Sequence, residues 1–165
     1  MAKAGIRIEI PGFGPLMIQQ VVSDYTGTLS AGGELSAGVR ERLTRLAELV
    51  DIHILTSDTF GTVRSELAEI PLEIRILERD RHDVQKQRFV TEQCQARHVA
   101  AFGNGSNDGL MLKAVRAAGG LAVAVDNGEG CAVETMISAN LFIHGAANAL
   151  DLLLEPNRAK AGLRF

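Results

Sequence analysis

Four polar positions stand where apolar runs end or helices begin, and their residue types carry chemistry. Asp24 follows Val21-Val22, and Thr56 follows Ile54-Leu55. The run Gly103-Asn104-Gly105-Ser106-Asn107-Asp108-Gly109 follows Val99-Ala100-Ala101-Phe102, and Lys86 lies near the start of the helical stretch before that third run. An Asp, a Thr, a Lys and a second carboxylate suit phosphoryl transfer through an acyl-phosphate. The Asp carboxylate attacks phosphorus and carries the phosphoryl group. A Mg²⁺ held by hard oxygens offsets phosphate charge, so that an anionic nucleophile can approach. A lysine and a threonine hydroxyl bind the equatorial oxygens, where transition-state charge is spread. Backbone N–H groups around Gly27 and Gly105 are further donors expected to face an anion.

The chain around these positions alternates strand and helix patterns. Ile6 to Ile10 alternates apolar and polar residues, Pro11-Gly12-Phe13-Gly14-Pro15 is turn chemistry, and Leu16 to Val22 reads as a second strand. The start is therefore a hairpin whose second arm continues into the core sheet. A Gly-rich loop, Ala31-Gly32-Gly33, precedes a helix with Ser36 as its expected N-cap and Val39, Leu43, Leu46, Ala47 and Val50 on its apolar side. Strands are expected at 52–55, 72–77 (at or near an edge), 99–102, 121–125 and 141–143. Helices are expected from about 59 to 67 and 84 to 95, and at 110–117, 131–138 and 146–154; the tail 158–165 shows no clear periodicity. Strand–helix alternation with fully apolar strands predicts an α/β fold, a doubly wound parallel sheet with helices on both faces. With no linker or repeat in view, residues 1–165 read as a single domain. In such sheets ligands bind at the carboxyl ends of the strands near the switch point, where Asp24, Thr56 and the 103–109 loop all fall.

Composition excludes other classes. The 165 residues carry 17 Lys+Arg against 20 Asp+Glu, a net charge of −3, so there is no basic excess to neutralise a nucleic-acid backbone. Aromatic residues are 4%, too few for base-stacking platforms. No apolar run approaches the ~18–20 residues of a membrane span, and the start has no signal core. Cys94 and Cys131 form neither a metal-ligand spacing nor a disulfide framework, which suits a reducing cytoplasm. His53, His82, His98 and His144 are scattered without zinc spacing. Gly103-x-Gly105-x-x-Asp108 approaches a dinucleotide fingerprint but lacks the third glycine. Leu152 to Leu154, Leu163 and Phe165 read as core residues or an oligomer contact, with core the favoured reading.

Asp24-Tyr25-Thr26-Gly27-Thr28-Leu29 resembles the first motif of the haloacid dehalogenase superfamily and, more narrowly, the Asp-Lys-Thr-Gly-Thr phosphorylation motif of P-type ATPases. Ile54-Leu55-Thr56-Ser57-Asp58 resembles the second motif, Lys86 the third, and Gly103-Asn104-Gly105-Ser106-Asn107-Asp108 the Gly-Asp-Gly-x-Asn-Asp fourth. The four occur in order over about residues 16 to 125, and the whole is similar to the soluble P-type ATPase-like proteins that keep only the phosphorylation domain. The resemblance implies a Rossmann-like core and a Mg²⁺-dependent phosphohydrolase. Asp24 would be the nucleophile and a metal ligand, and Thr26 would give its carbonyl to the metal. Thr56, Ser57, Lys86, Gly27 and Asn107 would bind phosphate, with Asn107 also orienting Lys86 or the loop. Asn104 and Asp108 would sit at the metal, with Asp58 as an outer helper.

Two departures from the pattern have chemical meaning. Thr26 stands where most phosphatases of the superfamily carry an Asp acid/base, which predicts slow hydrolysis of an aspartyl-phosphate. Asn104 stands at a usual Asp ligand; an amide oxygen can ligate a hard cation but brings no charge. The intervals between motifs hold no cap domain. The site is therefore expected to be open, serving a phosphorylated macromolecule or being covered by another copy in a homo-oligomer.

Overall fold

The computed structural model describes residues 2–165. Ten strands and seven helices follow in the order β1 (Ile6–Ile10), β2 (Gly14–Ile18), β3 (Gln20–Ser23), β4 (Ser30–Ala31), β5 (Glu34–Leu35), α1 (Val39–Leu49), β6 (Asp51–Thr56), α2 (Val63–Glu66), β7 (Glu73–Ile76), α3 (His82–Arg88), β8 (Val99–Gly103), α4 (Gly109–Ala117), β9 (Leu121–Asp126), α5 (Val133–Ser138), β10 (Leu141–His144), α6 (Ala146–Leu154) and α7 (Pro156–Leu163). Six strands form one parallel sheet in the order β10-β9-β8-β3-β6-β7. The chain leaves β3 toward β6 and β7, then crosses back to β8 on the other side, so the order reverses beside β3. This is an α/β doubly wound fold with an N-terminal antiparallel hairpin.

Alternate strand residues face opposite layers, and the two layers differ in size. Val21, Ile52, Ile54, Phe102, Leu121, Val123 and Val125 pack with Leu43 and Leu46 of α1 and Leu150 and Leu153 of α6. Val22, Leu55, Ala101, Ala122 and Ala124 face Phe89 and Val90 after α3 and Met111, Leu112 and Val115 of α4. Three alanines on that face leave room for α4 to lie close to the sheet. The hairpin buries Ile6, Ile8, Ile10, Leu16 and Ile18 against the first layer and exposes Arg7 and Glu9.

Several boundaries differ from those the sequence predicts. The expected strand from Leu16 to Val22 is two strands: β2 stays in the hairpin, and after Gln19 β3 begins in the central sheet. Ser36 does not cap α1; Gly38 takes that place in a left-handed conformation (φ 76°), and the Ser36 hydroxyl instead accepts from Asn127 Nδ2 at 2.7 Å. The helix expected to run to about 95 ends at Arg88 and continues as a wider π-type turn, Phe89–Gln93. The Gly-rich loop is the turn of the small β4–β5 hairpin. The tail forms α7, begun by Pro156 at its first turn. Leu152, Leu153 and Leu163 are buried as expected, but Phe165, beyond α7, is 94% exposed and its backbone N–H donates to Pro11 O.

The small-residue face gives a stability test. Ala122 is fully buried, and Ala122→Leu is expected to cost about 1–3 kcal/mol in urea unfolding, because α4 must move to admit the added carbons.

Candidate active site

The register of the sheet assembles the site. Ser23 at the end of β3 pairs with Ile54 of β6 and Phe102 of β8, so the segments beginning at Asp24, Thr56 and Gly103 leave three adjacent strands at the same carboxyl end. The Asp24 N–H donates to Phe102 O at 3.0 Å, which fixes where the first loop turns away. This is the topological switch point, where open α/β sheets form their ligand crevice.

Lys86 ties two of these loops together. Only 1% of its side chain is exposed, and Nζ donates to Asp24 Oδ1 at 2.8 Å and to Asp108 Oδ1 at 2.7 Å. Burial disfavours the ammonium, but the charges of Asp108 and Asp24 outweigh it and hold Lys86 above the ordinary lysine range. Asp24 feels the opposite balance. Burial first, and then the charge of Asp108, push its carboxyl up from 3.8 to about 6 against the pull of Lys86. Asp108 also braces its own loop, since its Oδ2 accepts from the N–H groups of Asn104 and Gly105, both at 3.0 Å. Gly103 is needed here, because a Cβ would lie 2.4 Å from the Asp108 Cβ.

The other oxygen of Asp24 faces a second cluster. The Thr28 hydroxyl lies 3.3 Å from Asp24 Oδ2 and 3.0 Å from Asn104 Oδ1. It carries one hydrogen for two acceptors, so it can serve only one of those oxygens at a time. Asn104 Nδ2 points the other way and donates to Gly130 O at 3.2 Å. The Asn104 side chain lies over Gly27, where a Cβ would sit 2.4 Å from Nδ2 and where φ is +77°. Among the described residues, no group of three or more His, Cys, Asp or Glu side chains converges. The donor set that does converge is all oxygen, Asp24 Oδ2 and Asn104 Oδ1, both facing the single Thr28 hydroxyl. That chemistry fits a hard divalent cation, with Asp24 carrying the charge.

The remaining residues singled out in the sequence fall into two groups. Thr56 is buried at the end of β6, and its hydroxyl accepts from the Asp58 N–H at 3.0 Å, leaving its own hydrogen to donate. Ser57 is exposed, 3.2 Å from the Thr59 hydroxyl. Thr26 is half-buried, and its carbonyl takes part in no backbone hydrogen bond of this loop. The expected donors at Gly27 and Gly105 are already engaged, Gly27 N–H with Ser30 O and Gly105 N–H with Asp108, because both loops close on themselves. Asn107 is exposed beside Arg81, His82 and Asp83, and Lys86 is oriented by the two carboxylates instead. Asp58 caps α2, its Oδ1 accepting from Thr62 and Val63 N–H. Three further groups join the site from outside the sequence-predicted set. Thr28 sits inside the first motif, and its type and place there are a signal in the sequence. The contacts of Gly130 O, and of the buried Thr135 hydroxyl with Gly105 O at 2.7 Å, leave no local pattern.

Comparison with known proteins gives the class first. No family model matches the chain. It superposes on the 3-deoxy-D-manno-octulosonate 8-phosphate phosphatase of Moraxella catarrhalis, solved with magnesium, phosphate and KDO, with a TM-score of 0.63 at 17% identity over 87% of this chain and 90% of that one. A protein of Streptomyces avermitilis provisionally named an HAD family hydrolase gives 0.62 at 20% identity, over 85% and 87%. These likenesses establish the fold as the haloacid dehalogenase type. In sequence, the chain is 39% identical over 66 residues to the uncharacterised protein MJ0073 of Methanocaldococcus jannaschii, which covers 40% of this chain and 67% of that protein. It is 44% identical over 39 residues to MJ0072 of the same organism, 24% of this chain and 89% of that protein. The chain belongs to one family with these two archaeal proteins.

Two measurements probe the electrostatics. Between pH 3.8 and about 6 native Asp24 binds a proton that the unfolded chain does not, so its charge costs stability above pH 6 and the cost fades as pH falls. Without divalent metal, Asp24→Asn is expected to melt higher than wild type at pH 8, with the gap narrowing below pH 6 and closing toward pH 4. Lys86→Met leaves two buried carboxylates without their cation and is expected to cost about 3–5 kcal/mol in chemical unfolding at pH 8.

Proposed function

We propose that the protein is a Mg²⁺-dependent phosphohydrolase that works through an aspartyl-phosphate on Asp24. The observation that carries this reading is the division of the Asp24 carboxylate: Oδ1 on the buried ammonium of Lys86, Oδ2 facing the Asn104 amide oxygen across one hydroxyl. Asp24 Oδ2, Asn104 Oδ1 and the Thr26 carbonyl would hold the ion, with Asp108 outside them. Bound there, the ion would offset phosphate charge. Asp24 Oδ1 is then the nucleophile, and Lys86 stands beside it to take up charge on the transferred group. Thr56 donates its hydroxyl hydrogen to a phosphate oxygen, with Ser57 at the rim. Asp108 keeps Lys86 charged and aimed.

Thr26 sets the pace. A threonine hydroxyl is no base near neutral pH, and lack of a general base costs ~10²–10⁴-fold in the second step. Together with the Asp24-x-Thr26-Gly27-Thr28 pattern, this supports a reading in which the chain resembles the soluble P-type ATPase-like group and its phosphorylated state is long-lived. The same observation favours a second reading, a regulatory module that accepts phosphate and barely turns over. Only the small β4–β5 hairpin lies between β3 and α1, so the mouth suits a macromolecular phosphate or closure by another copy of the chain. Among the described residues no helix is long and apolar enough to cross a membrane, and both cysteines are free, which suits the cytoplasm.

Hydrolysis of p-nitrophenyl phosphate tests the reading. Slow, Mg²⁺-dependent turnover that disappears in Asp24→Asn is expected, together with acid-stable label on Asp24 from a radioactive phosphoryl donor. Thr26→Asp is expected to raise turnover ~10²-fold or more. Label without turnover selects the regulatory module; neither label nor turnover overturns both.

A further inference from the structure

The loop after β9 grips Asn104 from both sides. The Ala132 N–H donates to the Asn104 carbonyl at 2.8 Å, and Gly130 O accepts from Asn104 Nδ2 at 3.2 Å. A carbonyl can only accept, so this contact settles which way the amide points. Nδ2 turns outward, and Oδ1 turns inward to Thr28 and Asp24. Rotation of the amide by half a turn would set two oxygens against each other at Gly130. It would also aim an N–H₂ donor at Asp24 Oδ2, filling with partial positive charge the place where a cation would sit. A carboxylate at 104 would meet the same carbonyl with an oxygen in either orientation.

Gly130 is itself held by Asp126 at the end of β9. Asp126 Oδ1 accepts from the Gly128 N–H at 3.0 Å and the Gly130 N–H at 3.1 Å, while Oδ2 lies 3.2 Å from His144 Nδ1. Gly130 has φ of +87°, a conformation that gathers the turn around the carboxylate. A chain of contacts thus runs from Asp126 to Gly130 to Asn104 to the Asp24 oxygen.

We infer that Asp126 is a positioning residue for the cation site, acting through Gly130 O to keep the Asn104 amide oxygen turned toward Asp24. The inference rests on the proposed metal-dependent reading. It makes Asn104 a ligand whose neutral side chain is required by its neighbour. Groups behind a ligand of this kind typically change metal affinity ten- to a hundredfold when removed.

Mn²⁺ binding to the full chain, measured by calorimetry without substrate, tests this in a double-mutant cycle. Asp126→Ala is expected to weaken binding ten- to a hundredfold. Asp126→Asn, which keeps an oxygen for the two glycine N–H groups, should stay near wild type. In the Asn104→Asp background, where no amide exists to misorient and the carbonyl repels the side chain, Asp126→Ala should leave affinity unchanged or tighten it. Equal loss in both backgrounds marks a merely structural role and overturns the inference. Should Asp126→Ala fail to fold, NMR of the wild type decides: Asn104 side-chain amide protons protected from exchange support the contact, and freely exchanging ones overturn it. Wild type that binds no Mn²⁺ overturns both this inference and the metal-dependent reading; the expected cycle in a protein without phosphatase activity overturns only the latter.

Discussion

The buried ammonium of Lys86, shared between Asp24 and Asp108, is the constraint around which the carboxyl end of the sheet is built. Three charges in a nearly dry space leave a net single negative charge, and the excess falls on Asp24. A salt bridge of this kind stabilises little in itself, since each partner has given up its hydration. Its value lies in geometry. It joins α3 to the loops after β3 and β8, and it offsets part of the upward push that burial and Asp108 exert on the Asp24 carboxyl.

Most of the architecture was legible because strands and helices impose different periods on the same chain. Short apolar runs such as Leu121–Val125, closed by turn residues, read as strands covered on both faces, and the polar residues closing each run marked one end of the sheet. Asp24, Thr56 and the Gly103–Asp108 loop were visible for that reason. Lys86 was visible through resemblance, since a lysine among Gln85, Gln87 and Arg88 looks like a solvated helix surface until burial is known. Contacts made by backbone atoms were illegible. Gly130 contributes only a carbonyl, and nothing in its residue type announces that. Ser36 looked like a cap but was recruited by Asn127 from a distant loop, and Gly38 took its place. The tail hid α7 because its buried contacts, Ala159 and Leu163, are too few to make a stripe.

The two faces of the sheet also divide labour. Large aliphatic residues against α1 and α6 give the molecule its main core, and the hairpin β1–β2 extends it. The alanine-lined face gives up bulk and lets α4 lie close. Both helices flanking the site on that side, α3 and α4, connect directly to its residues, Lys86 on one and Asp108 just ahead of the other. Close packing there acts on the position of charges as well as on stability, because a shift of either helix changes the separation of Lys86 from its carboxylates.

The central place of β3 has a consequence for biogenesis. Asp24 leaves the ribosome early, yet its partners Lys86 and Asn104 lie on parts of the chain made much later; Lys86 is 62 residues downstream, and the Thr28–Asn104 contact spans 76. Parallel pairing with β8 needs a crossover that closes only when that strand has been synthesised. A nascent chain therefore exposes the carboxylate without its electrostatic setting, and chemical competence arrives late, as an all-or-none property of the finished sheet.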